Sequence, residues 1–297
     1  MTEVLEPISA GIDKCSEDCP FCKDPELKGY TTKPGKQKVE KDLAKHIRAD
    51  SGSDITKDPR VGKVYPLPGG GDATKNWLAK AGTFEDFEVR IAAAPHHIIP
   101  GKAAMAPSRL ERWTLASKGS IKEDIGYSID CAQNGIFLPH LPEIYWTKYA
   151  EGTKKRQSEY YGKSWKNLSD GAKESVAFVL MEETFLQMHY TNHNDPYIYV
   201  DNNKNYDDEC KKRCNQLSDF MEMKSALAKC PDADDKLGPP YELVAKINAI
   251  SSSMRSNITG NPRFWSDFVS PLAQEYANSV KTGRRSVTSR GLISREK

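Results

Sequence analysis

The chain has 297 residues, 38% of them hydrophobic and 28% charged, with a net charge of +2, a pI near 8.0 and a mean hydropathy of -0.66. That length allows one large or two smaller domains with a sizeable core, and no apolar run approaches the roughly 18 residues of a membrane span, which excludes a transmembrane helix. The near balance of charge excludes the strongly basic body of a dedicated nucleic-acid binder.

The amino-terminal Met1-Thr2-Glu3-Val4-Leu5-Glu6-Pro7 has neither the basic nor the apolar region of a secretory signal, so export is expected to need a dedicated apparatus. Residues 1–75 read as an irregular segment with one short helix over 39–49 and a glycine-rich linker at 68–71. Its cysteines, Cys15, Cys19 and Cys22, have the C-x3-C-x2-C spacing of radical iron-sulfur enzymes, but the strand and helix alternation of the accompanying barrel does not follow. They are candidates for a small structural zinc site, with free thiols as the equal alternative.

Alternation of Phe87, Val89 and Ile91 predicts a strand over 87–93, and a helix is expected over 106–118. Lys102, Arg109, Arg112 and Lys118 either meet phosphates or form the exposed face of that helix. A short strand over 134–138 precedes a long amphipathic helix over 168–188, where Ala172, Val176, Val179, Leu180 and Phe185 fall near helical spacing. Cys210 and Cys214, four apart on an expected helix, could share an ion or pair with Cys230. Helices over 217–229, 241–256 and 271–280 follow, with Pro239 and Pro240 near the first turn of the second. Trp265 is expected in the core rather than stacked on a base. The run from Lys281 to Arg290, with Arg295 and Lys297, reads as a solvated basic end or a DNA contact.

Of six histidines, five fall between positions 96 and 193. Neutral imidazole is the commonest nitrogen ligand of zinc, and three protein ligands with one open position define a catalytic site. His96, His189 and His193 could supply those three. On a helix, the spacing of His189 and His193 would put both rings on one face. If His96 and His97 lie on a strand, their side chains point to opposite faces, which leaves His97 to act as a general base. Asn134 is a candidate to orient His97 or to face the metal. Taken singly, each histidine is more ordinarily a satisfied core or surface residue.

The succession His96-His97-Ile98-Ile99-Pro100, then Gly126-Tyr127-Ser128-Ile129-Asp130 and Asn134-Gly135-Ile136-Phe137-Leu138-Pro139, then His189-x3-His193 with Tyr197, resembles the AHH family of the HNH/endonuclease VII superfamily over about positions 90–215. The resemblance implies an α+β, mostly helical fold with a ββα-metal (HNH-like) nuclease core over 76–215, additional helices over 216–297, and residues 1–75 as a delivery or adaptor segment. It implies His96, His189 and His193 as ligands of one divalent ion (Zn, Mg, Mn or Ni), His97 as the base and Asn134 as its support. Pro95 stands where the family has Ala, and the long stretch from Leu141 to Met188 leaves His140 as an alternative to His189.

The function implied is a nonspecific endonuclease toxin acting on DNA, with RNA the lesser choice. Such effectors are made in a bacterial cytoplasm, delivered by type VI or related secretion apparatus into the cytoplasm of a target cell, and neutralised by a cognate immunity protein. The rival class is a zinc-stabilised structural or adaptor protein without catalysis, for which a closed four-ligand site would speak. A zinc protease is disfavoured by the lack of H-E-x-x-H.

Overall fold

The computed structural model describes residues 19–22, 43, 46, 64–66, 75–80, 87–146, 165–190, 193, 196, 204–228 and 235–284. The architecture is α+β and mostly helical. Four strands, β1 (Val64–Pro66), β2 (Lys75–Lys80), β3 (Phe87–His97) and β4 (Gly135–Trp146), form one antiparallel sheet in the order β1-β2-β3-β4.

β4 runs well past the expected end at Leu138, although Pro139 and Pro142 lie inside it. The carbonyl of Pro139 accepts a hydrogen bond from the His189 amide, so this residue's polar groups face the outer edge of the sheet, where proline's missing N–H breaks no ladder. The expected helix over 106–118 is instead a π-helical turn at Gly101–Met105 and 3-10 turns at Arg109–Trp113 and Ala116–Lys118. Pro107 has no amide to give a continuous ladder, and Ser108 is extended, so the helical backbone that reaches Ala106, the cap of the first turn, does not run on.

Four α-helices follow: α1 (Asp170–Thr184), α2 (Tyr206–Ala226), α3 (Glu242–Ile258) and α4 (Pro271–Lys281). Ser169, Asn205 and Ser270 cap α1, α2 and α4 by accepting the amides of Ala172, Asp208 and Ala273. Pro271 occupies the first turn of α4, where its missing amide costs nothing. α1 stops short of the expected 188 because Phe185 takes a left-handed conformation with φ of 54°.

One hydrophobic cluster joins these elements, including Leu110, Trp113, Val176, Leu180, Ile247, Met254, Trp265 and Tyr276. Trp265 is fully buried, 5.8 Å from Tyr276, as expected of a core residue. Cys19, Phe21 and Leu43 belong to the same cluster, and Phe21 packs 6.0 Å from Trp113. The boundary expected at residue 75 is bridged by the pairing of β1 with β2, and the one expected at 215 falls inside α2. The linker at 68–71 and the basic end beyond 284 lie outside the described residues, as does most of the helix expected over 39–49.

Candidate metal centre

β3 and β4 form a long hairpin whose connection, residues 98–134, is tied at its neck by Asn134. Its side-chain oxygen accepts the Ile99 amide at 2.8 Å and the Ser251 hydroxyl at 2.9 Å, while its Nδ2 donates to the carbonyls of Ile99 at 3.0 Å and Ile129 at 2.9 Å. Two donors and two acceptor positions are all the amide has. Asn134 is fully buried and spent on the backbone, which corrects the expectation that it orients His97 or faces an ion. Arg255 on α3 braces the same neck by donating to the carbonyls of Ala132, Gln133 and Gly135.

His96 pairs with Ile136 and His97 with Gly135, so the two histidines are consecutive strand residues and their rings part to opposite faces. His97 Nε2 lies 2.9 Å from Asp130 Oδ1, with the two side chains 10% and 3% exposed. A proton held on Nε2 by that carboxylate leaves Nδ1 as the basic nitrogen. Asp130 therefore does what was expected of Asn134. It closes the quoted Gly126-Tyr127-Ser128-Ile129-Asp130 run, and an acid ending a motif beside a paired histidine is the signal that could have found it. His46 Nδ1, from far earlier in the chain, lies 2.5 Å from the Asp130 carbonyl oxygen, a contact that no local pattern announces.

On the other face His96 meets His189 and His193. Ring centroids lie 5.0 Å apart for His96 and His189, 4.6 Å for His96 and His193, and 4.7 Å for His189 and His193. One nitrogen from each ring falls within 4.8 Å of the others, and Nε2 of His189 and Nε2 of His193 are 2.8 Å apart. His96 is 2% exposed, and among the described residues neither of its ring nitrogens has a hydrogen-bond partner. A buried polar group left in that state costs about 1–3 kcal/mol. Burial first, then the neighbouring His193, His189 and His97, holds its pKa well below the ordinary value. A neutral, unpartnered imidazole facing two others suits an ion ligand.

His189 and His193 reach this point without a helix, against the expectation from their spacing. After Phe185 the chain is held extended: Leu186 bridges to Thr259, the Gln187 amide donates to the Asp267 carbonyl and accepts the Val269 amide, and Ser270 donates to the Met188 carbonyl. Asp267 is itself held by Arg213, at 2.7 and 3.0 Å, and by Asn257. The His189 amide then lies on the outer edge of β4, and His193 sits in a turn. His140 is not a member of the trio; its Nδ1 donates to the His189 carbonyl at 2.6 Å and so helps to seat that ligand.

α2 closes the site. The Tyr206 hydroxyl donates to the Ile98 carbonyl at 2.8 Å, and its ring lies 5.5 Å from His96 and 5.3 Å from His193. Asp207 follows, with Oδ1 3.4 Å from His193 Nδ1. Sequence reasoning missed both, Asp207 because acids in a first helical turn are ordinary and Tyr206 because its contacts with the histidines are made across the fold.

The remaining candidates fall elsewhere. Cys15 and Cys230 lie outside the described residues, and Cys19 and Cys22 join no metal-capable group among the described ones. Cys210 and Cys214 are buried and unbridged, Cys210 against the Ile98 carbonyl at 3.4 Å. Arg109, Arg112 and Lys118 pair with Asp219, Glu222 and Glu111. Such exposed pairs are weak, about 0–1 kcal/mol, and can be exchanged for phosphate.

Comparison of the chain with protein-family models, curated proteins and solved structures returns no match in any of the three. The resemblance to AHH nucleases therefore rests on the motif residues themselves.

Proposed function

We propose that this chain is a metal-dependent endonuclease that hydrolyses the phosphodiester bonds of DNA without reading sequence. One observation carries the reading: a cluster of three imidazoles and a carboxylate-bound imidazole occupy opposite faces of the same two strand residues, His96 and His97. A bound divalent ion would polarise a phosphate oxygen and neutralise charge that develops as the ester breaks.

The chain's own residues do the rest. His96, His189 and His193 would hold the ion, the three-ligand set typical of catalytic rather than structural sites. Imidazole nitrogens favour a borderline transition ion such as zinc or nickel over magnesium, which prefers oxygen. His97 takes the proton of the attacking water on Nδ1, and Asp130 holds the Nε2 proton and stabilises the imidazolium that results. On this reading the antiparallel pair of β3 and β4, with α2 across its end, corresponds to the ββα-metal core of the resembling family. Its members' role as secreted antibacterial effectors, with an immunity protein as partner, comes with the same reading.

The test is cleavage of supercoiled plasmid by the purified chain with zinc, nickel, manganese or magnesium, against EDTA, beside His97→Ala. Metal-dependent nicking that His97→Ala loses supports the reading. Cleavage of RNA alone would change the substrate. No cleavage of either, with zinc held in stoichiometric amount, would replace it by the structural role.

A further inference from the structure

Three neutral imidazoles give an ion nitrogen lone pairs but no counter-charge, so a divalent ion held by them keeps its whole double charge in a buried place. Charge out of water needs a partner. Among the described residues two carboxylates adjoin the histidines, and Asp130 is taken by His97. The other is Asp207.

Its neighbours in the first turn of α2 have other partners. Asp208 is exposed and accepts from the Asn205 amide group, and Glu209 faces Lys204 and Lys212. Asp207 faces the histidines instead: its Oδ1 is buried, short of any hydrogen bond among the described residues, and 3.4 Å from His193 Nδ1. The favourable end of a helix explains an acid there, but not one whose oxygen is buried and directed at an imidazole. His193 meanwhile presents its other nitrogen, Nε2, to His189.

We infer that Asp207 is a positioning residue of the metal centre, completing a carboxylate–imidazole–metal relay through His193. This rests on the metal-centre reading above. The carboxylate accepts the Nδ1 proton of His193, which fixes Nε2 as the ligating nitrogen, turns the ring toward the ion and supplies one of the two negative charges that the ion lacks. Outer partners of this kind change metal affinity by about 10- to 100-fold.

The experiment is competitive zinc titration of the full chain and of Asp207→Asn, Asp207→Glu and Asp208→Asn, with the thermal midpoint of each measured in chelator. Asp207→Asn keeps size and loses charge. It should bind zinc about 10- to 100-fold more weakly with an unchanged metal-free midpoint, Asp207→Glu should recover part of the loss, and Asp208→Asn should match wild type. A cobalt-loaded sample should show a shifted visible spectrum for Asp207→Asn alone, which a purely structural role would not produce. The inference is overturned if Asp207→Asn binds zinc within twofold of a wild type that takes one equivalent, or if Asp208→Asn weakens binding equally. A wild type that takes up no zinc instead removes the metal centre, and the relay with it.

Discussion

Asn134 and His96 are both buried and lie at the same end of one hairpin, yet their hydrogen bonding is opposite. Every position of the Asn134 amide is filled, by Ile99 twice, Ile129 and Ser251, whereas among the described residues neither nitrogen of His96 has a partner. Satisfied polar groups in a core define its shape, whereas an unsatisfied one facing two other imidazoles suits a bound ion. His97, next to His96, is tied to Asp130 through Nε2.

The sharpest way to test the division is to remove one member of each kind. His97→Ala should lower DNA cleavage by about 10²- to 10⁴-fold and leave the zinc stoichiometry as in wild type; loss of both together would merge the two faces of β3 into one function. Asn134→Ala should act on the fold instead. It strands two carbonyls and an amide in the core, so denaturant unfolding should show a loss of roughly 3 kcal/mol or more, and a stability near wild type would mean that the neck is not held by this residue.

A smaller effect is expected at Asp130. Asp130→Asn keeps the shape but no longer dictates which nitrogen of His97 carries the proton, and cleavage should fall by about 10- to 100-fold with zinc affinity unchanged. The pH dependence of the metal-free chain probes His96 itself. Its folded-state pKa lies below the unfolded value near 6.5, so the unfolded chain binds the extra proton first. The stability that neutral His96 allows is complete above about pH 6.5 and is lost as the pH falls below it, by at most about 1.4 kcal/mol per unit. Wild type should lose stability between pH 6.5 and 5 faster than His96→Gln; parallel curves would show that His96 is not held neutral. The smallest effect is chemical: burial pushes the Cys214 thiol up to about 12, so it stays protonated and unalkylated at pH 8 in the native chain, while exposed Cys22 reacts. Mass mapping after brief alkylation decides it.

Much of the arrangement was legible in the chain because it is local. Alternation marked β3, and the adjacency of His96 and His97 on a strand was enough to separate their faces. The periodic helices α1, α3 and α4 were visible near their true bounds. What was hidden depends on contacts made at a distance. The spacing of His189 and His193 suggested a helix, but Gln187, Ser270 and Pro139 hold the chain extended up to His189. Asn134 drew attention as a polar residue opening an apolar run, yet its partners lie on the hairpin loop and on α3, and only the folded chain shows that they exhaust it. Asp207 carried no distinguishing spacing, because it is matched to its histidine by packing between elements.

The most direct measurement is zinc X-ray absorption on the full chain loaded with one equivalent of metal. A first shell of nitrogen and oxygen only, at about 2.0–2.1 Å, with the outer scattering of three imidazoles that drops to two in His96→Ala, is the result expected if His96, His189 and His193 share the ion. A shell containing sulfur near 2.3 Å, unaffected by His96→Ala, would place the ion among the cysteines and contradict it.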